Sequence, residues 1–291
     1  MKISAIYCVR NEIEFLPLSV ATILADVDEV VILDNRSTDG TIEYALRLQA
    51  EHPEKVKLIK GTTIFDEVSE SVTRDESVKH ATGDWLLILD ADLLMSDGWR
   101  ADVEQCLNSA GCDGVRVRFE HLVGSQEYIH QGFYEKQHDP TLHPNVPLWQ
   151  AVLFRRRSNL MCHSAADTCP QFRKEHHARF DEDVPHGRMW DRPGATAFHY
   201  GFAKRDMMKM SVYRIHRGDY GHDPEKKQQM MWELVESDNP FRFVGNVHRV
   251  DYGPSFVPSV MRAGFATTYR LDLDSQGFIQ KRWSMKTGEM C

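Results

Sequence analysis

The stretch WLLILDADLLM, residues 85–95, decides the reading of this chain. Five apolar residues, 85–89, climb to Asp90 and Asp92 with only Ala91 between them. An apolar run of that length reads as a buried strand. Carboxylates at the end of such a run need a positive or hydrogen-bonding partner. Residues two apart on an extended backbone face the same way, so both acids are expected on one side. One would hold a divalent cation and the other a ribose hydroxyl or a metal-bound water. A solvated polar strand end is the competing reading.

The alternation continues on both sides. KISAIYCV (2–9), EVVILD (29–34), VKLIKG (56–61) and DWLLILDAD (84–92) read as strands. Helices are expected over 14–26, 37–53, within 66–81, and from Trp99, where Trp99, Val103, Cys106 and Leu107 recur at helical spacing. GVRVRFEHLV follows as another strand. The expected fold is therefore α/β, with a mostly parallel central sheet flanked by helices. Such sheets bind ligands outside the carboxyl ends of their strands. Arg10-Asn11-Glu12, Asp34-Asn35-Arg36, Asp90 and Asp92 all fall there. Beyond 125 the pattern loosens. PLWQAVLFRR (147–156) and TAFHYGF (196–202) read as strands, 203–217 and 224–237 as helices, and the tail from about 240 as irregular.

Composition narrows the function classes. With 291 residues, 42% hydrophobic and 27% charged, the chain has the makings of one large domain with an appendage or of two small ones. A formal net charge of -8 argues against a broad basic surface for nucleic acid. Six cysteines, at 8, 106, 112, 162, 169 and 291, form no CxxC pair, which favours reduced thiols over a disulfide framework or zinc ribbon. No apolar run approaches a signal-peptide core or the ~20 residues of a membrane span, so a cytoplasmic location is expected.

VRNE (9–12), VVILDNRSTDGT (30–41) and TRDESVKHATGDWLLILDAD (73–92), in that order, resemble the family 2 glycosyltransferases of the GT-A fold. The resemblance covers about the first 125 residues well and 150–205 loosely. It implies a GT-A domain over 1–202, with 1–125 binding a nucleotide-sugar and 126–202 the acceptor, followed by a helical C-terminal extension over 203–291. The backbone around Cys8, Val9 and Arg10 would line the base pocket, with Asn11 and Glu12 continuing that loop. Asp34 would hydrogen-bond the base, and Arg74 would reach the base or a phosphate. Asp90, beside Ala91, would face the ribose or support the metal site, and Asp92 would ligate Mn2+ or Mg2+ bridging the donor's diphosphate. Asp34, Asn35 and Arg36 stand where the family often has Asp-Asp-Gly. The rival role for Asp34 is a helix cap, which Ser37 and Thr38 are better placed to supply.

The resemblance also implies a metal-binding histidine, mapped onto His199, and a general base for an inverting transfer. Asp183 is favoured as that base and Asp181 is second, within RFDEDVPHG (179–187). Lys204 and Arg205 would steady the diphosphate or simply begin an exposed helix. The expected reaction moves a sugar, most readily from a UDP-sugar, to a hydroxyl on a glycan, a lipid-linked saccharide or another acceptor. A hydroxylated base of modified viral DNA is a minority acceptor, with Arg155, Arg156 and Arg157 as phosphate contacts. The rivals are a nucleotidyltransferase, disfavoured because Arg-Asn-Glu replaces a Gly-rich basic loop, and a non-catalytic sugar-nucleotide-binding protein. CHSAADTC (162–169) matches no structural zinc spacing.

Overall fold

The computed structural model describes residues 1–61, 70–123, 125–130, 148–156, 160–162, 178–180, 189–202, 223–237, 247–249, 269–273, 275 and 279–284. Strands β1 (Ile3–Val9), β2 (Glu29–Asp34), β3 (Val56–Lys60) and β4 (Trp85–Leu89) are joined through helices α1 (Leu16–Ile23), α2 (Thr41–Glu51) and α3 (Glu70–Lys79). The strands lie in the order β4-β1-β2-β3, all parallel, with Tyr7 opposite Leu89 and Val9 opposite Asp34. Every residue of β2 is buried, as expected of a strand covered on both faces. Helix α1 buries Leu16, Ser19, Val20 and Ile23, a single stripe at i, i+3, i+4 and i+7 with Pro17 in its first turn. It stops at residue 23, three short of the expected span.

The chain continues through β5 (Leu93–Met95), α4 (Trp99–Asn108), β6 (Gly114–Val123), β7 (Ser125–His130), β8 (Leu148–Arg155), β9 (Leu160–Cys162), β10 (Ala178–Phe180), β11 (Met189–Phe202), α5 (Pro224–Ser237), β12 (Val247–Arg249), β13 (Tyr269–Leu273) and β14 (Ile279–Ser284). Two compact units result, residues 1–119 with 149–197, and residues 120–148 with 198–291. In the first, β8 runs antiparallel to β4, with Leu86 opposite Phe154, and β11 pairs with β5 and β6. The parallel half of the sheet thus carries the strand–helix alternation, and an antiparallel strand continues it beyond β4. The buried side chains Trp85, Trp99, Tyr7, Phe15 and Phe154 are among the largest in this core.

In the second unit β12 pairs antiparallel with β7, and β13 with β14. Helix α5 occupies the expected 224–237, burying Met230 and Leu234 and exposing Trp232. The tail is not uniformly irregular. Tyr269, Leu271 and Leu273 alternate with Arg270 and Asp272, a period-two pattern that makes one arm of a hairpin. The helix expected over 203–217 lies outside the described residues. Among the described residues no helix is long and apolar enough to cross a membrane.

Candidate functional site

Two loops at the carboxyl ends of β1 and β2 are laced together by side chains. Asn11 N–H donates to Ser37 Oγ at 2.9 Å, and Thr38 N–H returns a bond to Asn11 Oδ1 at 2.8 Å. Glu12 N–H donates to Thr41 Oγ1 at 2.9 Å and Ile13 N–H to Asp39 Oδ2 at 3.1 Å. Asn11 (φ 58) and Arg36 (φ 61) both adopt the left-handed conformation. Arg36 stands where the resembled family often has glycine, and there a non-glycine residue costs roughly 1–2 kcal/mol.

The helix cap differs from expectation. Helix α2 begins at Thr41 after Gly40, whose φ of 101 suits glycine. Asp39 rather than Ser37 or Thr38 takes the Thr41 N–H, at 3.0 Å, because the two hydroxyl residues are engaged with Asn11. Partial burial pushes the Asp39 carboxyl up, but bonds from Thr41 and Ile13 outweigh it and hold it below its ordinary range.

Asp34 closes β2 and is 2% exposed. Its Oδ2 accepts the Ser37 N–H at 3.2 Å, so it shapes the loop rather than capping the helix. Its Oδ1 is buried without a hydrogen-bond partner, as are both amide atoms of the adjacent Asn35. Asn35 Oδ1 packs so close to Gly61 that a side chain there would begin 2.7 Å from it. Buried unpaired polar atoms cost about 1–3 kcal/mol each, and this cluster sits at the edge where such sheets bind ligands.

The D-A-D does not stay extended. Asp90 follows β4, and Leu93 N–H closes a turn onto the Asp90 carbonyl at 3.0 Å. The two acids therefore occupy different surroundings. Asp90, with 38% of its side chain exposed, accepts a bond from Arg74 Nη2 at 2.6 Å, whereas Asp92 is 6% exposed. Arg74 is itself buried on α3. Cys8 on β1 lies 3.4 Å from both the Thr73 carbonyl and Ser77 Oγ, which ties the helix carrying Arg74 to the central strand. Strand β1 alone separates the ends of β2 and β4, so Asp34 and the D-A-D turn lie roughly 10 Å apart along one sheet edge.

His199 is half-buried on β11, between buried Phe198 and Tyr200, in the second unit. Asp181, Asp183 and Lys204 lie outside the described residues, as does Arg157. Arg155 lies 4.6 Å over the Trp85 ring and donates to the carbonyls of Ser109 and Cys112, so its cation serves the interior of the first unit. The described residues bring together no group of three or more His, Cys, Asp or Glu suited to a metal ion.

The family model for glycosyl transferase family 2 matches residues 4–173, more than half of the chain. The chain belongs to that family. A TPR repeat-containing protein of Synechococcus elongatus is 36% identical over 99 residues, which is 34% of this chain and 22% of that protein. The chain thus spans about a fifth of that relative's length. S. aureus TarS 1-349 is similar in structure, with a TM-score of 0.43 at 14% identity, covering 84% of this chain and 75% of that one. A mannosyltransferase from Pyrobaculum calidifontis, in complex with GDP-Man and Mn2+, gives 0.42 at 16% identity, covering 80% and 68%.

Proposed function

We propose that this protein is a metal-dependent glycosyltransferase that moves a sugar from a nucleotide-sugar, with a UDP-sugar favoured, to an acceptor hydroxyl with inversion. The observation that carries the reading is the buried, unpaired Asp34 Oδ1 on the same sheet edge as the D-A-D turn, in a chain of this family. Asp34 accepts a hydrogen bond from the base, whose N–H replaces the partner the oxygen lacks. The lacing of 11–13 to 37–41 holds the loops around that edge in place. Arg74 neutralises Asp90 and fixes it toward the ribose, and Asp92 holds the cation, with His199 proposed from the sequence as a further ligand.

Departure of the nucleoside diphosphate builds negative charge on the leaving oxygens, which Mn2+ or Mg2+ stabilises when bound. Lys204 adds a second positive charge. Asp183, or Asp181 as second choice, takes the proton from the acceptor hydroxyl as the new bond forms. In this reading residues 1–125 serve the donor, 126–202 the acceptor, and the acceptor is a glycan, a lipid-linked saccharide or a soluble hydroxyl compound.

Calorimetry of UDP binding with Mn2+ tests the assignment. Asp92→Asn is expected to lose the metal-dependent affinity while keeping its melting temperature, and undiminished affinity would sink the reading. A hydrolysis screen over UDP-, GDP- and dTDP-sugars then identifies the donor. In the same assay with acceptor, Asp183→Ala should lower transfer far more than donor binding. Persistence of transfer there, with an inactive Asp181→Ala, moves the base to Asp181.

A further inference from the structure

The turn that carries Asp92 is held from outside by helix α1. Ser19, fully buried, donates its one hydroxyl proton to the Leu93 carbonyl at 2.5 Å. Its oxygen lies 2.9 Å from the Tyr7 hydroxyl, and because the serine proton is already committed, Tyr7 must be the donor. Burial raises the Tyr7 hydroxyl's pKa and keeps it protonated for that task. One helical turn on, Thr22 gives its proton to the Ser19 carbonyl at 2.6 Å and accepts the Met95 N–H at 3.2 Å. Two hydroxyls of α1 thus take the place of a neighbouring strand along one edge of β5. On the other side Ser96 N–H donates to the Thr196 carbonyl at 2.8 Å, and Thr196 N–H to Ser96 Oγ at 3.0 Å.

Leu93 is therefore fixed through both backbone groups. Its N–H closes the turn onto Asp90, and its carbonyl is pinned by Ser19. The backbone on the carboxyl side of Asp92 is thereby held in place.

We propose that Ser19, seconded by Thr22, is a positioning residue for the Asp92 carboxylate, setting the affinity for the divalent cation without touching it. The inference rests on the assignment of Asp92 as metal ligand. Groups hydrogen-bonded to a ligand itself are typically worth about 10–100-fold in metal affinity, and Ser19, which holds the backbone of the next residue, is expected to contribute less than that, about fivefold. Pre-orientation matters most here, because a site with one protein carboxylate has few other ligands to compensate for a misplaced one.

The test is Mn2+ binding by the full chain with UDP present, read from the free-ion electron paramagnetic resonance signal. Ser19→Ala is expected to weaken binding about fivefold, below the range for direct partners of a ligand. Val20→Ala, on the same buried face, and Tyr7→Phe, which leaves the Ser19–Leu93 bond intact, should cost stability yet stay within about twofold of the wild type. Should Ser19→Ala fail to fold, Thr22→Val, isosteric and half-buried, must weaken binding in the same direction. An unchanged Ser19→Ala, or an equal loss in Val20→Ala, overturns the proposal while Asp92→Asn still abolishes binding. If Asp92→Asn binds Mn2+ as tightly as the wild type, the ligand assignment itself falls and takes this inference with it.

Discussion

Glu29→Gln isolates the interaction that binds the first four strands at their amino ends. Glu29 opens β2 and is 7% exposed. Its Oε2 accepts Ser4 Oγ of β1 and the Thr82 N–H, the latter at 2.7 Å. Its Oε1 accepts Lys57 Nζ of β3 and, at 3.2 Å, Thr82 Oγ1. Ser4 Oγ in turn accepts the Gly83 N–H at 2.8 Å, two residues before β4. A glutamine keeps the shape but not the charge, and turns an amide group toward one pair of donors. Hydrogen bonds to a charged acceptor contribute about 1.5–3 kcal/mol and neutral ones about 0.5–1.5, so the two bonds kept at one oxygen lose roughly 1 kcal/mol each. The Lys57 pair adds at most about 1 kcal/mol, because that side chain is 44% exposed. The expected loss is about 2–3 kcal/mol, a sizeable fraction of a typical stability. Lys57→Met should cost no more than about 1 kcal/mol.

The sign with pH follows from the same contacts. Burial pushes the Glu29 carboxyl up, but the bonds from Lys57, Ser4 and Thr82 outweigh it, and its pKa lies below the ordinary value. A depressed folded pKa means the contribution is fully present above the unfolded value, about 4.3, and is lost as pH falls through the folded one. Urea unfolding followed by the fluorescence of buried Trp85 and Trp99 should therefore show a constant gap between wild type and Glu29→Gln at pH 5–8. The gap should close toward pH 3. A gap that persists undiminished at pH 3, or one no larger than that of Lys57→Met at pH 7, would refute the assignment of the energy to this buried carboxylate.

At the opposite edge, Asp34→Asn should hold or raise the melting temperature without nucleotide, because it removes a charge from a buried oxygen that lacks a partner. It should lose about 1.5–3 kcal/mol of UDP affinity, and a UDP-induced melting shift equal to that of the wild type would exclude Asp34 from the base contact. Arg36→Gly should leave stability within about 1 kcal/mol of the wild type, relief of the left-handed conformation offsetting the entropy of glycine. Arg36→Val should lose about 1–2 kcal/mol, since a β-branched residue tolerates positive φ worst, and equal melting of the two variants would contradict the backbone argument.

What was legible in the sequence was whatever local apolar spacing determines. EVVILD and GVRVRFEHLV form strands over their full expected spans, and Trp99, Val103, Cys106 and Leu107 all turn inward on α4. The D-A-D was legible as a strand end at the ligand edge but not as a turn. The rule that residues two apart share a face presumes extended backbone, and the contacts that hold the segment after this turn come from distant positions. Ser19 reaches Leu93 across 74 positions, and Thr196 reaches Ser96 across 100. The Ser-Thr-Asp-Gly-Thr run misled for the same reason. Local reading gives its hydroxyls to their own helix, whereas Ser37 and Thr38 bond to Asn11, 26 and 27 residues earlier.

A small polar residue on an otherwise apolar stripe is the one sequence signal that could have exposed these contacts. Ser19 sits between Leu16, Val20 and Ile23 on the buried face of α1, where a serine without a partner would cost about 1–3 kcal/mol. Such a residue bonds either to a carbonyl of its own helix, as Thr22 does to Ser19, or to another element, and Ser19 takes the second course, on the short strand after the acids. The polar exceptions within apolar faces, more than the acidic motif itself, therefore indicate which distant elements hold the backbone that follows Asp92.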